Sequence, residues 1–480
     1  MSHMISEPDS ARGERRDGTT TWIAVFAACV GQFVVVLDIS VINVALPSIR
    51  EGLDVGAGSL QWVVNAYVIA FAGFLLLGGR ASDLFGRKAV FVFGLGVFTM
   101  ASLLGGLATS PWMLIVARAL QGLGAAVLSP ATLTILTTTF PEGTGRVRAI
   151  AMWTAVGTGG GAAGGVIGGV LTDYLSWRWV LLINVPLGLI VIAASAVWLA
   201  EGRTRQTGRH QLDLPGAVLA TLGAGCLAYG ISRTESHGWG SAPALGFLLL
   251  GVVALGAFIA VERRAAEPLI PLGVFRVRSV SVANIITMVS GMAFYAMWFF
   301  LSLYMQNVLK YSAVETGLAL LPHTLAVVLS AQLAPRMTRW IGGRALLTLA
   351  GVLTAAGFFW QAAMKADGTF LITLLGPGVA FSFGAGVMMT LQSVFATTGV
   401  PPQQEGVVAG LVNTSRTMGG ALGLSVLSSL AASRTDRAGT GLEALTSGYA
   451  SAFFGSGVVI VLSTALIALL PRSPRNPATP

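Results

Sequence analysis

Long apolar runs separated by short polar loops dominate this chain of 480 residues. An α-helix rises about 1.5 Å per residue and the hydrocarbon core of a bilayer is about 30 Å thick, so about 20 apolar residues suffice to cross it. Fourteen runs meet this requirement, at roughly 21–47, 60–79, 88–108, 111–137, 147–171, 179–200, 213–232, 243–261, 279–306, 314–335, 344–363, 370–397, 406–431 and 448–470. The pattern therefore predicts an all-α polytopic membrane protein with 14 transmembrane helices.

The composition supports this prediction, because only 10% of the residues are charged and 54% are hydrophobic. A soluble domain carries about 25% charged residues. The net charge of +9 would favour nucleic-acid binding in a soluble protein. In a membrane protein the same excess is typical of basic cytoplasmic loops, so nucleic acid is not expected as a partner.

The distribution of basic residues gives an orientation. With the N-terminus in the cytoplasm, 20 of the 29 Lys and Arg residues fall on cytoplasmic loops and tails, and 7 fall outside. Cytoplasmic loops are enriched in Lys and Arg. Both termini are therefore predicted to be cytoplasmic.

A decayed internal repeat indicates two related halves. Aligning Arg80 with Arg336 brings Gly86 onto Gly342 without a gap, after segments two and ten. Repeated halves are how many transporters build a central site that opens to alternate sides. The predicted parts are a cytoplasmic tail (1–20), a six-helix bundle (21–200), a two-helix insert with flanking loops (201–278), a second six-helix bundle (279–470) and a cytoplasmic tail (471–480).

Asp38 is the only acidic residue placed well inside a predicted span. An ionised carboxylate there costs several kcal/mol unless it has a partner or takes up a proton, so it marks a functional site by default. Arg118, in segment four, lies about 9 Å below the outer surface by helical rise, and Asp38 about 6 Å below it. Burial disfavours the charged carboxylate and a nearby arginine favours it. We therefore predict that Asp38 carries protons and that Arg118 tunes it.

Five strings in the chain resemble known signatures of one family. The loop string 78–88, GGRASDLFGRK, resembles the loop signature of the major facilitator superfamily, and 118–126, RALQGLGAA, resembles the proton-transfer signature of its fourth helix. The strings 176–188, SWRWVLLINVPLG, and 413–420, NTSRTMGG, together with 37–47, look like its fourteen-helix drug:proton antiporter family. The resemblance implies the major facilitator fold, in the inner membrane of a bacterium. It also implies that Arg80, Asp83, Gly86 and Arg87 form a conformational switch.

A glycine stripe in segment five is typical of close helix packing. The stripe comprises Gly157, Gly161, Gly164, Gly165, Gly168 and Gly169. It resembles the antiporter signature of exporters in the superfamily, but Gly165 stands where that signature has proline.

Polar and aromatic side chains within the spans are candidates for the substrate cavity. They are Gln32, Asn43, Asn65, Gln121, Phe294, Trp298, His323 and Arg416. The second half has Phe294 at the position aligned with Asp38, so the cavity has a single acid, too few to favour dicationic substrates.

The predicted function is proton-driven antiport of amphipathic drugs or antibiotics by a monomer in the lipid bilayer. No cofactor, metal site or enzymatic activity is expected, because no nucleotide-binding loop, metal-ligand cluster or nucleophile–base set stands out. Three alternatives stay open: a dedicated exporter of one endogenous antibiotic, siderophore or lipid, a proton-coupled importer, and a membrane scaffold without transport. The family strings disfavour the importer, and the embedded Asp38 and Arg118 disfavour the scaffold.

Overall fold

A computed structural model describes residues 18–140, 143–198, 212–237, 240–265 and 268–470 of the chain, and these residues form helices and loops without a β-strand. The helices are α1 (Gly18–Leu53), α2 (Ala57–Phe85), α3 (Arg87–Gly106), α4 (Pro111–Thr139), α5 (Thr144–Tyr174), α6 (Trp179–Leu182), α7 (Asn184–Trp198), α8 (Leu214–His237), α9 (Ala242–Glu262), α10 (Arg278–Leu303), α11 (Ala313–Ile341), α12 (Gly343–Gln361), α13 (Gly376–Thr397), α14 (Pro402–Ala438) and α15 (Leu442–Leu466). Two π-helical turns, Tyr304–Val308 and Phe370–Leu375, extend α10 and precede α13.

Thirteen spans among the described residues are long and apolar enough to cross a membrane. The thirteenth predicted segment, 406–431, lies within the 37-residue helix α14, which is missing from that set because it is markedly more polar than the others. Asn413, Ser415 and Arg416 contribute to that polarity. Length and helical structure thus agree with the prediction at this segment, while its hydropathy sets it apart.

The sixth predicted segment, 179–200, is interrupted rather than continuous. It consists of the short helix α6 and the longer helix α7, with Ile183 between them. Pro186 lies four residues after Leu182 and has no backbone N–H to offer that carbonyl. The interruption places Asn184 at the start of α7.

The predicted repeat has a matching backbone. Gly86, between α2 and α3, has φ 87° and ψ 139°, and Gly342, between α11 and α12, has φ 84° and ψ 144°. Both values of φ lie in a region that residues with a side chain rarely adopt. The two loops therefore share one turn that requires glycine at the same aligned position.

The glycine stripe of α5 faces two different helices. Its members Gly157, Gly161, Gly164 and Gly168 face α1, as does the neighbouring Gly160, and its members Gly165 and Gly169 face α11. On the first face, Ser40 donates a hydrogen bond of 2.8 Å to the Gly161 carbonyl oxygen. On the second face, a Cβ added to Gly317 would overlap the Gly165 carbonyl oxygen. The stripe thus packs α5 within its own bundle and also against the other half.

The two halves meet closely at the end predicted to face outside. Asp173, near the end of α5, accepts hydrogen bonds from the backbone N–H groups of Ala313 and Val314, at 3.2 and 2.9 Å. Ser302 donates to the Asn43 carbonyl oxygen at 2.7 Å, joining α10 to α1. These contacts hold the halves together above the level of Asp38.

The insert helices α8 and α9 pack against each other, and α8 also packs against one helix of each half. Gln61 of α2 donates to Ser232 at 2.9 Å, and Ser429 of α14 donates to the Ile231 carbonyl oxygen at 3.2 Å. The insert therefore borders the seam between the halves.

We expect Gly164→Ala to destabilise the protein. The added Cβ would lie 2.5 Å from the Ser40 Cβ, so α5 and α1 must separate, at a cost of about 1–3 kcal/mol. Gly159→Ala is the matched control, because nothing lies within 4 Å of a Cβ at that position of the same helix. Thermal unfolding of the purified protein in detergent checks this, and equal melting temperatures for the two variants would contradict it.

Candidate functional site

Asp38 and Arg118 form a buried ion pair. Arg118 Nη1 donates to Asp38 Oδ2 at 2.5 Å, and both residues are only 1% exposed. Asp38 lies on α1 and Arg118 on α4, so the pair joins two helices of the first half. Opposite charges in an apolar interior are stable only with good geometry and further hydrogen bonds, because both have lost their hydration.

Two amide side chains complete the surroundings of the carboxylate. Gln121 Nε2 and Asn184 Nδ2 each donate to Asp38 Oδ1 at 3.1 Å. Both amides also contact Ser102 Oγ, at 2.7 and 3.4 Å respectively. Each carboxylate oxygen therefore accepts a hydrogen bond, from donors on α4 and α7, while Ser102 of α3 supports the two amides.

The guanidinium of Arg118 is held on three further sides. Its Nε donates to the Val63 carbonyl oxygen at 3.0 Å, and its Nη1 also donates to Gln121 Oε1 at 3.0 Å. Its central carbon lies 4.5 Å from the centre of the Tyr67 ring, which is a cation–π contact. Arg118 is thus fixed by α2 as well as by Asp38.

The hydroxyl of Tyr67 is buried and has no hydrogen-bond partner. It interacts electrostatically with Asp38 and Arg118 in its own half, and with Tyr295 of α10 in the other half. A buried hydroxyl without a partner is uncommon. Tyr67 is therefore a buried hydroxyl without a hydrogen-bond partner directly beside the ion pair.

The chemical capacity of this site is to hold or release one proton. Removing one partner of a buried ion pair costs about 3–5 kcal/mol, because the other charge is left without compensation. Protonation of Asp38 has the same effect as removing one partner, because it cancels the negative charge that compensates the guanidinium of Arg118. A change of protonation is therefore a change in the forces that hold α1, α2, α4 and α7 together.

The similar depths of Asp38 and Arg118 along their helices correctly indicated that they meet. Gln121, expected in the substrate cavity, instead belongs to the ion-pair site and is fully buried. Sequence reasoning missed Asn184, Ser102 and Tyr67 as members of the site. The available signal was a polar side chain inside an apolar run, as at Asn184 and Ser102.

The other cavity candidates of the first half have different positions. Asn65 is fully buried and donates to Ser425 at 2.9 Å, which joins α2 to α14. Asn43 donates to the Ile39 carbonyl oxygen of its own helix at 3.0 Å. Gln32 is half-buried and accepts a hydrogen bond of 3.2 Å from Ser129. Asn65 therefore lies in the seam between the halves and lines no open cavity.

In the second half, His323 is fully buried and contacts the Ala319 and Leu374 carbonyl oxygens at 3.0 and 3.3 Å. It packs between α11 and α13 and does not line a cavity. Phe294 is buried too, with 6% exposure, while Trp298 and Arg416 are half-buried. Only the last two of these four candidates keep an accessible surface.

The loop cluster contacts the insert region. Arg80 Nη1 donates to the Pro268 carbonyl oxygen at 2.6 Å, beyond the end of α9. Gly86 forms the turn described above, and Arg87 begins α3. The side chain of Asp83 lies outside the described residues. The role of these residues as a conformational switch stays a prediction.

Comparison with known proteins gives the family. The family model of the Major Facilitator Superfamily matches residues 28–424. The cephamycin export protein CmcT of Amycolatopsis lactamdurans is 46% identical over 474 residues, which are 97% of this chain and 97% of that protein. The puromycin resistance protein pur8 of Streptomyces alboniger is 38% identical over 418 residues, which are 86% of this chain and 82% of that protein.

Solved structures agree on the fold. The D-xylose-proton symporter superposes with a TM-score of 0.67 at 12% identity, over 94% of this chain and 98% of that one. The nucleoside transporter NupG gives a TM-score of 0.67 at 14% identity, over 93% of this chain and 100% of that one. The chain is a multi-pass membrane transporter that belongs to the Major Facilitator Superfamily.

Proposed function

We propose that the protein is a proton-coupled antiporter that exports amphipathic drugs or antibiotics across the bacterial inner membrane. It works as a monomer with both termini in the cytoplasm, it needs no cofactor, and it is not an enzyme. The observation that carries this proposal is the fully buried Asp38–Arg118 pair, because a carboxylate so enclosed in a transporter is suited to carry a proton. The names of the two relatives, an exporter and a resistance protein, support the direction of transport.

The energy available from one proton is sufficient for export. A charge that crosses the membrane inward yields about 2.3 kcal/mol per 100 mV, and each 1.4 kcal/mol is about a tenfold ratio of concentrations. One proton per cycle therefore supports a gradient of one to two orders of magnitude for a neutral substrate at about 100 mV. No other energy source is required.

Proton exchange at Asp38 requires a rearrangement, since the carboxylate is 1% exposed. When Asp38 is protonated, Arg118 keeps its bonds to Val63 and Gln121 but loses its counterion. The helices α1 and α4 are then free to shift relative to each other. Alternating access follows if this shift opens the outer contacts between α1 and α10 and between α5 and α11.

Asp38→Asn tests the proton coupling directly. In proteoliposomes we expect the variant to lose export of puromycin driven by an imposed pH gradient, while counterflow of labelled puromycin continues. Asp54→Asn is the matched control, because it makes the same change at an exposed residue just beyond the end of the same helix. Undiminished proton-driven export by the Asp38 variant would refute the proposal.

Asn184→Ala tests the hydrogen bonds around the carboxylate. The loss of one donor to Asp38 Oδ1 disfavours its charged form, so proton-driven export should keep its maximum rate and shift its pH profile to higher pH. The protein should also lose about 1–3 kcal/mol of stability. Asn43→Ala is the control, since that amide bonds only to its own helix. An unchanged pH profile for Asn184→Ala would contradict this role.

A second candidate function is export of a single endogenous antibiotic. The observation in its favour is that a relative named for one antibiotic matches the chain almost from end to end. A resistance panel in a susceptible bacterium separates the two. A multidrug exporter protects against several chemical classes, and a dedicated exporter protects against one.

The same panel tests the charge of the substrate. With Asp38 already paired to Arg118, we expect no protection against dicationic dyes and measurable protection against neutral amphipathic drugs. Empty-vector cells and cells expressing Asp38→Asn serve as controls. Equal protection against monocationic and dicationic dyes would count against a cavity with a single acid.

A further inference from the structure

Arg416 is a half-buried arginine whose guanidinium is largely unsatisfied. Its Nη2 makes one long hydrogen bond, 3.4 Å, to the Met389 carbonyl oxygen, and its Nε is buried without a partner. No carboxylate of the described residues forms an ion pair with it. A guanidinium presents five N–H donors and stays charged at any pH that proteins meet. Arg416 therefore carries a positive charge that its own protein leaves almost uncompensated.

Arg118 shows how an arginine with a compensated charge is surrounded in the same molecule. It has a carboxylate, an amide oxygen, a backbone carbonyl oxygen and an aromatic ring around it. Burying a charge without compensation is costly, so embedded arginines are found with partners or facing a water-filled cavity. The difference between the two residues indicates that the partner of Arg416 comes from outside the protein.

Arg416 lies near the seam between the halves. Its side chain extends from α14 toward α13, while α10 packs so closely behind it that a Cβ on Gly291 would overlap its backbone oxygen. On the same helix as Arg416, Gly420 packs against the ring of Tyr295 of α10, and α14 also packs against α2 of the first half. Tyr295 is also only half-buried. A ligand between the halves would therefore reach Arg416.

We propose that Arg416 binds a carboxylate of the transported amphiphile. The planar fork of a guanidinium matches a carboxylate with two parallel hydrogen bonds, which a neutral amide oxygen cannot accept as strongly. This inference rests on the proposed export function and names one class among its substrates, amphipathic carboxylates. It assigns the proton to Asp38 in the first half and the substrate anion to Arg416 in the second.

The test compares two fluorescent probes that differ only in charge, dansyl-phenylalanine and its carboxamide. Binding to the full-length protein in nanodiscs should favour the carboxylate at least about tenfold, which corresponds to about 1.4 kcal/mol. Arg416→Gln should remove this preference by weakening the carboxylate alone, and Arg416→Lys should leave a smaller one. Arg434→Gln is the matched control, because it makes the same change at an exposed position on the same helix.

Four outcomes would overturn the inference. They are no preference in the wild-type protein, no binding of the carboxylate, an unchanged preference in Arg416→Gln, or an equal loss for both probes. An equal loss together with a lower melting temperature would assign Arg416 a structural role. Where Arg416→Gln does not fold, Arg416→Lys carries the same comparison, and an unchanged preference in that variant would overturn the inference too.

Proton-driven transport of the carboxamide probe separates this inference from the proposed function. The wild-type protein should transport this neutral probe in proteoliposomes with a pH gradient. If it does so without any preference for the carboxylate in binding, only the role of Arg416 is refuted. If the wild-type protein transports neither probe under a pH gradient, the proposed antiport function is refuted instead.

Discussion

The cost of burying a carboxylate in an apolar bundle determines how the first half of this transporter is built. The carboxylate of Asp38 is 1% exposed, and Arg118, Gln121 and Asn184 all donate hydrogen bonds to it. Those donors arrive from two other helices, and Ser102 on a third supports them. One charge therefore fixes the relative positions of α1, α3, α4 and α7. A proton that removes this charge acts on all of them at once.

The sequence predicted most of the fold because the bilayer imposes a simple rule on length and hydropathy. Where that rule was relaxed, the prediction was less complete: α14 is too polar to pass as a span by hydropathy, and Pro186 divides the sixth segment. The repeat could be recognised because a turn with positive φ requires glycine. Gly86 and Gly342 therefore occupy the same aligned position, although the charged residues of their two loops differ.

The ion pair was predictable from depth, because an acidic and a basic side chain at the same level of a bilayer are stabilised by pairing with each other. Its supporting residues were not, because helical rise gives depth and not the face of the helix. Asn184 and His323 are both polar residues in apolar runs, yet one contacts Asp38 and the other packs between α11 and α13. Only the packing of the helices shows whether such a polar residue belongs to the site or forms its hydrogen bonds elsewhere in the core.

The contacts between the halves indicate where motion is possible. At the seam of α2 and α14, Asn65 and Ser425 share one hydrogen bond, and α8 contacts both helices through Ser232 and Ile231. At the opposite seam, Gly165 and Gly317 bring α5 and α11 into backbone contact. The first seam is therefore joined by side-chain hydrogen bonds, and the second by close packing of two helix backbones. In the proposed antiport cycle, movement of one half against the other must change the contacts at both seams, and loss of the Asp38–Arg118 ion pair on protonation is the step that would start that movement.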